Sequence, residues 1–260
     1  YGSDPEVAAL AGRIALRHGD YAWADSLLRD AAAASGSDPA LDYLVAVASY
    51  VQGDSGGAER LASALPVQGF AEAEEAKRFL VMLKVLEAGQ ADGALVEEGD
   101  VEAGSRLRFP ATMVKARGLA EAGETKEALE LYEGLLAASP AFVPAAEASA
   151  ALYVDVLDDA ERARKPALQA REARPDDPRV AALLGRVLYK EGEIPYATRL
   201  LSEAVQQVPD DAMSRYYLGR CYQESGKSVQ AKAMLEKAIS LAPDAEWVDA
   251  ARTVLAEIGE

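Results

Sequence analysis

The sequence predicts an all-α protein, an α-solenoid of seven helix–turn–helix repeats closed by a C-terminal helix. Three observations carry that expectation. Good helix formers dominate the stretches between Pro and Gly, which are spread at intervals rather than clustered. Leu184-Gly185-Arg186 returns as Leu218-Gly219-Arg220, and Gly192, Ala197, Ala204 and Pro209 return as Gly226, Ala231, Ala238 and Pro243, each time 34 residues on. The register also runs backwards. An alanine recurs at Ala24, Ala58, Ala94, Ala128, Ala163, Ala197 and Ala231, in steps of 34, 36, 34, 35, 34 and 34.

Each part of the repeat has a physical reason. Two helices cross closely only where side chains are small, and the seven alanines mark such a crossing on the second helix. Five residues earlier the turn reads Gly19, Gly53, Gly89, Gly123, Asp158, Gly192 and Gly226. Glycine there ends the first helix in a left-handed conformation that other residues resist. The eighth position reads Gly12, Ala46, Met82, Ala116, Ala151, Gly185 and Gly219, small in all but one case. Asp4-Pro5, Asp38-Pro39 and Asp177-Pro178 read as helix starts, with Asp as N-cap and Pro at the first helical position. Tyr132 with Leu135 and Leu136 exemplifies the buried stripe. A lone helix pair cannot bury both faces, so neighbouring repeats must stack. The segment Ala245–Glu260 reads as a solvating last helix with Trp247, Leu255 and Ile258 facing inward.

Leu-Gly on the first helix, Gly at the turn, Ala on the second helix and Pro after it resemble the tetratricopeptide repeat. The resemblance covers residues 5–245, strongest in the last two repeats and weakest in the third and fifth. It implies a right-handed superhelical domain over residues 1–260. The repeats fall at about 5–38, 39–72, 75–108, 109–143, 144–177, 178–211 and 212–245, with a cap helix at 246–260.

The third repeat is the weak link. Its second helix must fit within Ala91–Gly104, which holds Gly93, Gly99 and Gly104 and the run Glu97-Glu98-Gly99-Asp100. An interior glycine costs about 1 kcal/mol against alanine, so this helix is expected to be short, frayed or broken. Decay tolerated by the neighbours, a hinge and an acidic contact loop are all open readings. Pro166 and Pro195 are expected near the starts of second helices, where a missing N–H is harmless.

Composition narrows the function. A net charge of −16 and an isoelectric point near 4.6 argue against nucleic acid, which would be repelled, and against an anionic membrane surface. No run approaches the eighteen apolar residues that a membrane span needs, so no membrane insertion is expected. Aromatic residues make up only 7% of the chain while alanine is abundant, which favours many close helix contacts over one thick core of large side chains. The single cysteine, Cys221, excludes an internal disulfide and a thiolate zinc cluster. Tyr1-Gly2-Ser3 contains no methionine, which leaves room for a signal peptide, an anchor or a further domain ahead of it. Localisation stays open between cytoplasm and periplasm.

No catalytic residue, metal ligand set or cofactor motif emerges. His18, the one histidine, sits before the Gly19 turn, where a cation favours a helix C-terminus. Cys221 reads as a small packed side chain rather than a nucleophile, which would need a base or a cationic setting. Gly53, Gly56 and Gly57 lack the lysine and strand of a phosphate loop. The acidic pairs Asp158-Asp159, Asp176-Asp177 and Asp210-Asp211 fall at turns, where capping explains them. The chain is not expected to be an enzyme.

The resemblance implies that positions 2, 5, 9, 12 and 13 of each repeat line a concave groove. In the last two repeats these are Arg179, Ala182, Arg186, Tyr189 and Lys190, then Met213, Tyr216, Arg220, Gln223 and Glu224. The fourth repeat gives Met113, Arg117 and Glu121, and the first gives Ala9, Arg13, Leu16 and Arg17. Position 9 is thus arginine at Arg13, Arg117, Arg186 and Arg220, with Val47, Leu83 and Leu152 in the others. Arginine forks bind carboxylates bidentately and tyrosines give contact area at low entropy cost. Two readings follow: residues 179–224 hold an acidic or C-terminal partner segment, or the arginines pair with nearby acids and only solvate their helices. The chaperone-adaptor type of clamp looks to asparagine in the groove, and this chain contains none.

The expected function is a protein–protein interaction scaffold or adaptor, bacterial by its alanine- and arginine-leaning composition, whose partner is another protein or peptide. Such arrays resemble those that assemble envelope machines, pili or secretion systems. The alternatives are a regulatory or docking domain of a longer enzyme, and a scaffold that self-assembles by end-to-end stacking.

Overall fold

The computed structural model describes residues 4–36, 38–66 and 68–259. Tyr1–Ser3, where the sequence offers no evident N-terminal capping helix for the stacking alternative, lie outside the described residues, as do Ser37, Val67 and Glu260. Among those described are fourteen α-helices and no strand.

The first unit of the chain, residues 1–145, contains α1 (Pro5–His18), α2 (Tyr21–Ser35), α3 (Pro39–Val51), α4 (Ser55–Ala64), α5 (Ala73–Glu87), α6 (Arg108–Glu121) and α7 (Thr125–Ala138). Helix α8 (Val143–Ala151) leads into the second, residues 146–260, and continues as a π-helical turn over Leu152–Val156. There follow α9 (Ala160–Ala173), α10 (Pro178–Lys190), α11 (Ile194–Gln207), α12 (Ala212–Glu224), α13 (Ser228–Leu241) and α14 (Val248–Gly259).

Aspartate starts the helices as expected. The carboxylates of Asp4, Asp38 and Asp177 each accept from a backbone N–H two residues on, at 2.9 Å, ahead of a proline in the first turn. Asp20, Asp54, Asp159 and Asp211 cap α2, α4, α9 and α12 without the proline cue, each accepting from the backbone N–H three residues on. The six turn glycines all have φ between 71° and 90°, and Asp158, the exception in sequence, takes the same left-handed region at φ 53°. Aspartate enters that region more readily than most residues.

Helix crossings set the packing. Ala24, Ala58, Ala128, Ala163, Ala197 and Ala231 are all fully buried. At Gly12, Gly185 and Gly219 an added Cβ would lie 2.7, 2.8 and 2.7 Å from Cγ of Leu28, Leu201 and Leu235, the residue sixteen positions on. Only a missing side chain lets the second helix come this near. Ala94 departs from the pattern and is exposed, because no α-helix forms where the third second-helix was expected. Two 3-10 turns, Gly93–Leu95 and Glu98–Val101, stand there instead. Arg78 of α5 ties them down, pairing with Asp100 and, at 3.2 Å, with Glu97. Met82, the large residue at position 8, is buried.

Pro195 lies in the first turn of α11 as expected, but Pro166 does not start α9. It is the seventh residue of that helix, buried on its packed face, and α9 continues past it to Ala173. A proline there withholds the N–H owed to the carbonyl four residues back, a cost of about 3 kcal/mol in a helix without tertiary support.

The first unit has a core of large side chains that the composition did not suggest. Six aromatic rings meet edge to face in one chain: Tyr43, Phe79, Tyr50, Phe142, Phe109 and Tyr21, with neighbouring centroids 4.9 to 5.9 Å apart. The hydroxyl of Ser139 donates to the carbonyl of Val51 at 3.3 Å, and Val143 packs over Gly53. The turn after α3 therefore meets the connection after α7, and the unit closes on itself. In the second unit α14 closes the array: Ala251 and Val254 are buried, with Trp247, Leu255 and Ile258 packed against the same cluster.

Gly219→Ala and Gly134→Ala provide a matched test of the crossing. The first drives a Cβ into buried Leu235, whereas nothing lies within 4 Å of a Cβ at Gly134, on the exposed side of α7. Urea denaturation should show Gly219→Ala losing about 1–3 kcal/mol by overpacking and Gly134→Ala gaining up to about 1 kcal/mol by helix propensity.

Candidate functional site

Helices α10 and α12 are first helices of successive pairs, so their like-numbered positions lie side by side. Tyr189, the twelfth residue of α10, and Tyr216, the fifth of α12, come together across them. Arg220 sits between them, its guanidinium carbon 5.8 Å from the Tyr189 ring and 5.9 Å from the Tyr216 ring, and it donates to the Tyr216 hydroxyl at 3.0 Å. Tyr216 is buried and stacks on Trp247 at 4.8 Å with an interplanar angle of 19°. Tyr217, one position outside the expected groove set, joins both tyrosines edge to face at 5.1 and 5.3 Å. The Tyr189 hydroxyl donates to Glu224 at 2.9 Å, and burial together with that bond holds its pKa above the usual phenol value. Burial works against the charge of Arg220, but the oxygens of Tyr189, Tyr216 and Glu224 outweigh it and its pKa stays raised. Met213 is exposed and Gln223 half-buried on the same helix.

The other cations of this stretch have carboxylate partners. Arg186 forms a two-pronged pair with Asp155, Nε to Oδ1 at 3.1 Å and Nη2 to Oδ2 at 2.9 Å, with its side chain only 12% exposed. Lys190 holds Asp158 at 2.6 Å, and Arg179 holds its own cap residue, Asp177, at 3.1 Å. Asp155 and Asp158 lie 31 and 32 residues upstream of their cations, close to one repeat length. Arg174–Glu147 ties the end of α9 to α8 within one pair at a separation of 27. Arg171–Glu203 links α9 to α11 of the next pair at a separation of 32, again close to one repeat length. Scanning for opposite charges one period apart would have found these partners. Positional analogy with the repeat family did not.

In the first unit, Arg117 donates to the carbonyls of Leu86 and Gln90 at 2.7 and 3.4 Å, capping the end of α5. Met113, Val47 and Leu83, expected on the groove side, are buried instead, because the unit closes over them. Arg13 and Arg17 are exposed on α1 at the mouth of a cavity. His18 lies in the last turn of α1, exposed, ahead of the left-handed Gly19.

Among the described residues no group of three His, Cys, Asp or Glu side chains is placed to hold a metal ion. No helix among them is long and apolar enough to cross a membrane.

Antiparallel helix pairs, joined by a left-handed turn and crossing at a missing side chain, define a helical-repeat protein. Residues 188–258 match the family model described as Tetratricopeptide repeat. That stretch carries the tetratricopeptide repeat, and helix pairs of similar build precede it. The search of curated proteins returns no match. Among solved structures the chain is similar to YrrB, described as a tetratricopeptide-repeat protein with an unusual peptide-binding site: 18% identity, 87% of this chain, 97% of that one, TM-score 0.47. It is similar also to MamA from Desulfovibrio magneticus RS-1, with 15% identity over 81% of this chain and 98% of that one at TM-score 0.46. Another MamA structure has 20% identity over 55% of this chain and 88% of that one, TM-score 0.45.

Cys221 lies at this face yet is fully buried, and burial pushes its thiol up to about 11. With an ordinary thiol near 9.0, the thiolate fraction at pH 8 falls about a hundredfold. Iodoacetamide should therefore modify Cys221 at least about a hundred times more slowly than free cysteine at pH 8, with the rate still climbing towards pH 11.

Proposed function

We propose that the chain is a non-catalytic protein-interaction scaffold, one array of the seven repeats given above, whose α10–α12 face holds an acidic or C-terminal segment of a partner. Arg220 carries this reading. It is framed by Tyr189 and Tyr216, and among the described residues it pairs with no carboxylate, while its buried Nε has no hydrogen-bond partner. A guanidinium fixed between two rings has already given up the freedom that binding would cost it, and its fork fits a carboxylate. Met213 adds an apolar contact and Gln223 a polar one beside it. Arg179, Arg186 and Lys190 take a supporting part, since each already has an acid to release. In the first unit, taken by itself, Arg117, Arg13 and Arg17 are the candidate partner contacts.

A fluorescein-labelled peptide with alternating Glu and Leu, ending in a free carboxylate, tests the face. It should bind, more weakly as salt rises, and Arg220→Glu should weaken it at least tenfold while Arg252→Glu, on the outer side of α14, leaves it unchanged. Equal affinity in Arg220→Glu, or no binding to the unaltered chain, defeats the proposal.

One observation favours the stacking alternative as well. Val7, Leu10 and Ile14 form an apolar stripe on α1 that is 45%, 61% and 47% exposed. The like positions in α3 and α10 are Leu41, Leu44 and Ala48, and Val180, Leu183 and Val187, all buried. In α3 that stripe packs with Leu28 and Ala31 of the preceding helix. The α1 stripe has the same build and is exposed, and a second copy of the chain can cover it. Sedimentation at rising concentration should show association that Leu10→Glu with Ile14→Glu abolishes; a monomer throughout removes this reading.

A further inference from the structure

The first unit encloses a cavity of about 530 Å³, between α1, the start of α2, α3 and the residues that lead into α6. Contact between Tyr21 and Phe109, 5.2 Å between ring centroids, shuts one side of it. Its volume is within the roughly 300–1,000 Å³ common for small-ligand sites. The floor is apolar, made by Leu16, Leu44, Val47 and Phe109.

Its charge is opposite to that of the chain. Arg13, Arg17, Arg106 and Arg108 line it against the single carboxylate of Glu72, in a protein of net −16. Arg106 is already balanced, by Glu72 at 3.4 Å and Glu75 at 3.0 Å. Arg13, Arg17 and Arg108 have no carboxylate within 4.0 Å among the described residues, although most cations of the second unit's groove face do. Arg13 and Arg17 stand one helical turn apart, where like charges repel unless an anion lies between them. Three unbalanced guanidiniums over a hydrocarbon floor suit one ligand chemistry.

We infer that this cavity binds a carboxylate carried on an apolar body, with Arg13, Arg17 and Arg108 around the carboxylate and the apolar body over Leu16, Leu44 and Val47. The site lies in the other unit from the Arg220 face and does not depend on it. A free aliphatic acid and the C-terminal end of a peptide share the required chemistry.

Calorimetric titration of the whole chain with octanoate and with N-acetyl-Leu-Phe, each beside its neutral amide, separates the two sources. At least one acid should bind, at least tenfold tighter than its amide. Binding of octanoate alone assigns a free acid, of the dipeptide alone a peptide end, and of both a site open to either. Arg13→Gln with Arg17→Gln should weaken binding at least tenfold, with helix content unchanged by circular dichroism because both side chains are exposed. Arg108→Gln should weaken it independently, and Arg220→Glu should leave it alone. The inference is overturned if neither acid binds better than its amide, or if the arginine variants bind as well as the parent.

Discussion

The distance of closest approach between two helices of a pair governs the rest of this structure. Where a first helix offers glycine, at Gly12, Gly185 and Gly219, the leucine sixteen residues on fills the space above its backbone. That contact fixes where the second helix crosses, which sets the turn, and the turn demands the left-handed residue that follows. The third repeat illustrates the rule by exception. No helix crosses at Met82, so the position admits a long side chain and buries it, and the polypeptide after α5 makes 3-10 turns anchored by Arg78.

Contacts between neighbours in sequence were readable in advance. The alanine and glycine ladders, the Asp-Pro starts and the broken helix after Ala91 are local consequences of residue size, backbone freedom and capping. Pro166 was misread because a proline in a helix is judged by local propensity, and packing overrode it. The closure of the first unit was hidden for another reason. Tyr21, Tyr43, Tyr50, Phe79, Phe109 and Phe142 share no period, so nothing in their spacing announces that their rings meet.

The same division runs through the charges. Positional analogy pointed to Tyr189, Tyr216 and Arg220, which do lie together, and to Arg186 and Lys190, which the preceding repeat already neutralises through Asp155 and Asp158. A guanidinium's availability depends on its neighbours in space, and a sequence displays only its neighbours in the chain. The resulting inventory is unequal: ion pairs stitch one repeat to the next in the second unit, while the unbalanced arginines gather around the cavity of the first.

The bond from Ser139 to Val51 joins residues 88 apart in the chain. An open stack, in which every pair touches only the next, can form from either end and melt in stages. A unit that brings the connection after α7 back onto the turn after α3 cannot do so, because losing any member opens the ring of contacts for all of them. The first unit is therefore bound to gain and lose its structure as a whole, and more slowly, since distant segments must meet before the aromatic core exists. The second, built of neighbour contacts, is free to fray helix by helix from α14 inward.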